Sequence, residues 1–276
     1  MRRGPRRPRI PGLHAAAVAL FALATAVPAR AAPCATEAPD AQLTGAGECL
    51  VLRTFGAPAA GTRPDLVVVL HGDVSGGGPA RYHFAIAAAL AADNPRVVSV
   101  AVVRPGYDDG DGRQSTGTHH GRIDSYSAAN IDAVAGVVAR LKAHHAPRRT
   151  ILVGHSGGAA TAGVILGRHP GLADGAVLVA CPCNISQWLR ARGRSPWIRS
   201  ESPSDWVAGV PAATRVVAIT GAADDLTAPF LAEAYVEQLA ALGIAARVEI
   251  LGGATHNGAF RDPAMARAVA ELIAAP

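Results

Sequence analysis

From Asp65 onward the chain repeats one pattern: a short aliphatic and β-branched run, a turn, then ten or more residues with helical spacing. The runs are DLVVVL (65–70), RVVSVAVV (96–103), TILVG (150–154), GAVLVA (175–180), TRVVAIT (214–220) and RVEIL (247–251), and most are continuously apolar rather than alternating. Strands of that kind are covered on both faces, which specifies an α/β fold with a mostly parallel sheet and crossover helices. Helices are expected at 79–92, 125–145, 157–169, 229–242 and 262–274, the second marked by Ile131, Val134, Val138 and Leu141; an outer strand is expected at 50–55. With 276 residues, half of them hydrophobic, the chain can bury the core of one large domain.

The formal net charge of +5 belongs to the amino terminus. Six of the 26 basic residues (Arg2, Arg3, Arg6, Arg7, Arg9, Arg30) precede position 32 with no acid among them, which leaves 20 against the 21 acidic residues of the body. A body that is close to neutral removes the main support for nucleic-acid binding. An arginine-rich start, an apolar stretch at 15–27 and Ala29-Arg30-Ala31 have the order of a signal peptide over 1–31, so 32–276 is expected as an exported mature domain with no membrane attachment after leader removal. The paired arginines raise the twin-arginine route, although the residues after Arg7 fit its pattern poorly.

Four cysteines in an export context suggest disulfides. Cys34 and Cys49 would staple the mature amino terminus; Cys181 and Cys183, around Pro182, form a tight bridge or stay reduced, and three pairings are formally open. No second cysteine pair or nearby histidine completes a tetrahedral metal set, and no metal site is expected.

Two segments break the strand–helix rhythm. GYDDGDGRQSTGTHHGR (106–122) follows the carboxyl end of a strand, where open α/β sheets bind ligands, and Tyr107 in it is a candidate substrate contact. Its Asp108, Asp109 and Asp111 fall short of a calcium loop, because the twelfth position from Asp109 is His120. Residues 184–211 hold all three tryptophans, Trp188, Trp197 and Trp206, and read either as a small cap lining a pocket or as anchors of the insertion on the sheet.

The sharpest motif is Gly154-His155-Ser156-Gly157-Gly158, a G-x-S-x-G sequence between a strand and a helix. Glycines two residues either side let backbone pass close to a strained turn that exposes the serine hydroxyl. A phosphate loop would need G-x-x-x-x-G-K-[ST], and no lysine follows. Serine needs a base, and the base needs an orienting acid. His256 in GGATHNGAF follows the last strand, and Asp224 or Asp225 in GAADDLT follows the one before, which gives the order Ser, Asp, His. Asp224 is favoured as the acid, with Asp225 expected to make a salt bridge or cap the next helix. His155, at the variable motif position, is expected to face away from the nucleophile. The Gly157 amide and, after the turn His71-Gly72, the Asp73 amide are the expected oxyanion donors.

HG at 71–72, GHSGG at 154–158, GAADD at 221–225 and TH at 255–256 resemble the α/β-hydrolase superfamily over residues 65–274. The resemblance implies an α/β-hydrolase fold with a seven- or eight-stranded sheet, a cofactor-free mechanism through an acyl-enzyme, and the roles above for Ser156, His256, Asp224, Asp73 and Gly157. GAADDLT is similar to the dienelactone-hydrolase-like branch, whose nucleophile is cysteine, whereas GHSGGA is closer to esterases and some serine peptidases. The expected substrate is a small carboxylic ester, with a peptide or amide as the alternative and a non-catalytic binding protein on the same fold as the reading from another class.

Overall fold

A computed structural model describes Met1, Gly4 and residues 32–275. The expected leader thus lies outside the described residues, apart from those two positions. The sheet has eight strands: β1 (Gln42–Gly45), β2 (Glu48–Phe55), β3 (Asp65–Leu70), β4 (Val97–Val102), β5 (Arg149–His155), β6 (Gly175–Val179), β7 (Arg215–Gly221) and β8 (Ala245–Leu251). They lie in the order β1-β2-β4-β3-β5-β6-β7-β8. β2 is antiparallel to both neighbours, and β4 to β8 run parallel with β3. β1 was not expected, because QLTG is too short to stand out. Its two-residue turn, Ala46 and Gly47, has φ of 45° and 88°, the sign pair that closes a tight hairpin.

Among the described residues seven α-helices connect or follow the strands: α1 (Tyr82–Asp93), α2 (Ala128–His145), α3 (Gly157–Arg168), α4 (Ile185–Ala191), α5 (Phe230–Ala241), α6 (His256–Arg261) and α7 (Pro263–Ala274). Alternate residues of one strand enter opposite cores. Leu66, Val68 and Leu70 of β3 pack with Ile131, Val134 and Leu141 of α2 and Val164 and Ile165 of α3, whereas Val67 and Val69 pack with Ala87 and Leu90 of α1 and Met265 and Val269 of α7. This is why β3 shows no polar alternation: all six of its residues are buried.

The structure joins Cys34 to Cys49 and Cys181 to Cys183. Residues 106–122 are folded around a buried carboxylate. Asp109, fully buried, accepts hydrogen bonds from the Arg113 Nε and from the amides of Asp111 and Arg113, and Asp111 pairs with Arg53. Arginines therefore answer Asp109 and Asp111, whereas the Asp108 carboxylate accepts from the Gly110 amide. The loops that follow β3, β5, β7 and β8 converge at the carboxyl end of the sheet, and the candidate site is built there.

Candidate active site

Ser156 follows β5 directly and stands at the N-cap position of α3 with φ 53° and ψ −119°, a conformation a non-glycine residue adopts only when its surroundings enforce it, at a cost of about 1–3 kcal/mol. Its amide donates to the Val179 carbonyl (2.9 Å), which ties the turn to β6. A Cβ at Gly154 would overlap the Gly158 carbonyl oxygen, and one at Gly158 would overlap the Leu70 and His71 carbonyl oxygens. Both motif glycines are thus forced by close approach of backbone.

Asp224, 4% exposed, follows β7. Its Oδ1 accepts from the Leu226 and Thr227 amides (2.9 and 2.8 Å) and its Oδ2 from the Thr227 hydroxyl (2.7 Å). His256 Nδ1 then donates to Oδ2 at 2.9 Å, which leaves Nε2 as the nitrogen available for proton transfer. Burial would raise the Asp224 carboxyl, but the hydrogen bonds from His256 and Thr227 outweigh it and hold the carboxyl below its ordinary range. Asp225 is exposed, and among the described residues its side chain makes no salt bridge and caps no helix, because α5 begins only at Phe230. His256 is the first residue of α6, not a plain loop residue: the Thr255 hydroxyl accepts from the Gly258 amide and starts that helix.

Tyr82 and His155 were not foreseen as part of this framework. The Gly72 amide donates to the Tyr82 hydroxyl (2.5 Å), which donates to His155 Nδ1 (2.7 Å), and His155 Nε2 donates to the His256 carbonyl (3.2 Å). One chain of hydrogen bonds thus spans the loop after β3, the serine turn and the histidine loop. Burial, followed by the charge of His256, lowers His155 to about 3, so it serves as a neutral strut. No spacing rule pairs Gly72 with Tyr82 across the start of α1. The position of His155 inside the motif was the one available sign.

A second brace lies behind Asp73. Its carboxylate accepts from Arg104 (2.5 Å) and from the Tyr126 hydroxyl, and its carbonyl accepts from the Tyr107 hydroxyl (2.9 Å). Arg104 is 4% exposed, and its own amide donates to His71 Nε2 (2.9 Å). Asp73 is part of the wall of a cleft, and its carboxylate is already engaged there by Arg104 and Tyr126. Tyr107, expected to touch substrate, is 1% exposed and lies beneath this loop rather than in the cleft wall; its hydroxyl is used up in holding Asp73.

The cleft measures about 640 Å³, in the range of small-molecule sites. Ser156 and His256 share it with Asp73, Thr227, Trp188 and Trp197. The three tryptophans separate into the two roles left open by sequence. Trp188 and Trp197 meet edge to face (ring centroids 5.3 Å apart) at the cleft, and Trp188 Nε1 donates to the Leu226 carbonyl (2.7 Å). Trp206 lies outside the cleft wall, in a 3-10 turn (Pro203–Gly209) whose backbone presses on Gly167 of α3, with Arg168 over its ring. Asp124 fixes the insertion to the loop before α2 by accepting from the amides of Ile198, Arg199 and Ser200.

The sheet order, the serine turn and the cleft define an α/β-hydrolase-fold serine hydrolase. The chain belongs to the family described as "Serine aminopeptidase, S33", whose model matches residues 64–213 and therefore includes Ser156 but stops before Asp224 and His256. Among curated proteins no match is found. Solved structures with a similar fold include Est1E from Butyrivibrio proteoclasticus with bound ferulic acid (TM-score 0.63, 14% identity, 82% of this chain and 95% of that one). Others are esterase PE8 (TM-score 0.58, 22% identity, 81% and 99%) and the acylaminoacyl peptidase of Pyrococcus horikoshii (TM-score 0.57, 13% identity, 80% and 37%). Among the described residues no helix is long and apolar enough to cross a membrane.

Proposed function

We propose that the protein hydrolyses carboxylic esters through Ser156, His256 and Asp224, with the amides of Gly157 and Asp73 as oxyanion donors. The observation that carries this reading is the buried Asp224 carboxylate on His256 Nδ1, with that histidine and the strained Ser156 facing one cleft. In the reaction, Ser156 Oγ attacks the carbonyl carbon as its proton passes to His256 Nε2. The tetrahedral oxyanion is met by the two amides, and His256 then gives the proton to the departing alkoxide. Water, deprotonated by the same nitrogen, attacks the acyl-enzyme, and as the acyl–oxygen bond breaks His256 Nε2 returns that proton to Ser156 Oγ, which releases the carboxylic acid and restores the free serine. Asp224 stays ionised throughout, orienting the imidazole and stabilising its charged form.

Esters are preferred over the free-amine peptides that the family's name suggests, because an aminopeptidase must hold a substrate ammonium. The one carboxylate in this cleft wall, Asp73, is already paired with Arg104 and Tyr126. We further propose export to an oxidising compartment, a reading supported by the leader-like sequence of 1–31 and by two disulfides. The test is a panel of p-nitrophenyl esters and aminoacyl p-nitroanilides against the wild type and Ser156→Ala. Ester turnover that vanishes in Ser156→Ala, with anilides at least about tenfold slower, is expected. Anilides turned over faster than esters would make the protein a peptidase.

A further inference from the structure

Four arginines, Arg122, Arg192, Arg194 and Arg261, stand in the wall of the cleft that holds Ser156 and His256. Among the described residues none of the four has a carboxylate within 4.0 Å, although arginines elsewhere in the chain are paired with acids, as Arg53, Arg113, Arg148, Arg168 and Arg247 are. Two have structural duties that leave their charge uncancelled. Arg122 donates to the Val74 and Gly78 carbonyls, and Arg192 to those of Asp225 and Leu226. Arg194 and Arg261 make no side-chain hydrogen bond among the described residues. The nearby acids do not balance the set, since Asp73 is matched by the buried Arg104 and Asp224 is turned to His256. The cleft wall thus holds four arginines and one carboxylate, and that carboxylate, Asp73, is taken by Arg104.

This placement differs from the rest of the molecule. The body of the chain is close to neutral, so an uncancelled cluster in the cleft that holds Ser156 is a local feature and not a consequence of overall charge. Arginine presents a planar fork of donors suited to carboxylate, sulfate or phosphate oxygens. Resting on the hydrolase reading above, we propose that the substrate carries an anionic group, of the carboxylate class, in addition to the scissile ester. The arginines hold that group while the carbonyl lies between Ser156 and the Gly157 amide. The same field draws an anionic substrate into the cleft and opposes a cationic one.

The test uses matched p-nitrophenyl esters of equal chain length: glutarate monoester, with a free terminal carboxylate, against pentanoate. A third ester, pentanoyl on a carboxylate-bearing phenol, asks whether the anion belongs on the acyl or the leaving side. At low salt an anionic ester should exceed its neutral match in kcat/KM by about tenfold or more. That ratio should fall as ionic strength rises, and fall again in Arg194→Gln and Arg261→Gln, whose side chains break no hydrogen bond or ion pair when replaced. Equal kcat/KM for charged and neutral esters, or a ratio indifferent to salt and to both substitutions, would overturn the proposal while leaving the hydrolase reading intact. Calorimetry of Ser156→Ala with glutarate and with glutaramide decides the matter without turnover. Binding of glutarate alone, weakened by either arginine substitution, supports it, and absence of glutarate binding contradicts it even if no ester is cleaved.

Discussion

The two adjacent aspartates show how one residue of backbone separates a working group from a surface group. Asp224 lies under the turn that β7 feeds, and the amides of Leu226 and Thr227 close on its carboxylate; Asp225 points into solvent. The proposed role predicts unequal results. Asp224→Asn should lower kcat for a p-nitrophenyl ester by about 10³–10⁴-fold, because the amide no longer fixes the histidine tautomer. Asp225→Asn should change kcat by less than about threefold, since its side chain contributes only a screened surface charge. Steady-state kinetics on both variants, with circular dichroism to check folding, make the comparison. Chain order indicated which loop supplies the acid. It could not indicate which of two neighbours turns inward, because that depends on the Thr227 hydroxyl and on the amides that close the turn.

Among the elements, the insertion after β6 divides into a cleft-facing part and a packing part. α4 and the following loop bring Trp188 and Trp197 to the cleft, whereas the 3-10 turn at Pro203–Gly209 packs Trp206 on α3. Replacing Trp188 or Trp197 by Ala should shift the preferred acyl length across a series from acetyl to octanoyl esters. Trp206→Ala should leave that preference in place and lower stability by about 1–3 kcal/mol, read from urea denaturation. A change of chain-length preference in Trp206→Ala alone would reverse the assignment. The concentration of tryptophans marked the insertion but could not sort them, because partition between cleft and core is decided by contacts with α3 and with Asp124, both distant in sequence.

For the molecule as a whole, the sheet was readable because continuous aliphatic runs admit little besides buried parallel strands, and β3 to β7 occur where those runs lie. The short hairpin strand β1, the folding of residues 106–122 around Asp109, and the Gly72–Tyr82–His155–His256 chain were not readable. β1 is too short to stand out, the turn around Asp109 has no apolar periodicity to mark it, and the Gly72–Tyr82–His155–His256 chain joins polar partners with no fixed spacing. The same buried polar framework has a cost in acid. His71, His83 and His155 are buried, and desolvation is the chief cause that lowers each of them, to about 3 for His83 and His155. Unfolded histidine titrates near 6.5, so at His83 and His155 the unfolded chain binds protons between about pH 6.5 and 3 that the folded chain does not, and His71 acts in the same direction. Stability from these groups is complete above about pH 6.5. It declines as pH falls, approaching about 1.4 kcal/mol per pH unit for each histidine. Thermal melts from pH 7 to pH 4 should show a falling midpoint; a flat midpoint would mean that the three side chains gain solvent or partners in acid.

The central claim is that Ser156, held in its strained turn, is a nucleophile activated by His256. Labelling the folded protein with a fluorophosphonate between about pH 6 and 9, where a neutral imidazole can act as base, and locating the adduct by peptide mass spectrometry tests it directly. A single adduct on Ser156, formed far more slowly in His256→Ala, is the expected result, and a folded protein that takes no label at Ser156 anywhere in that range would contradict it.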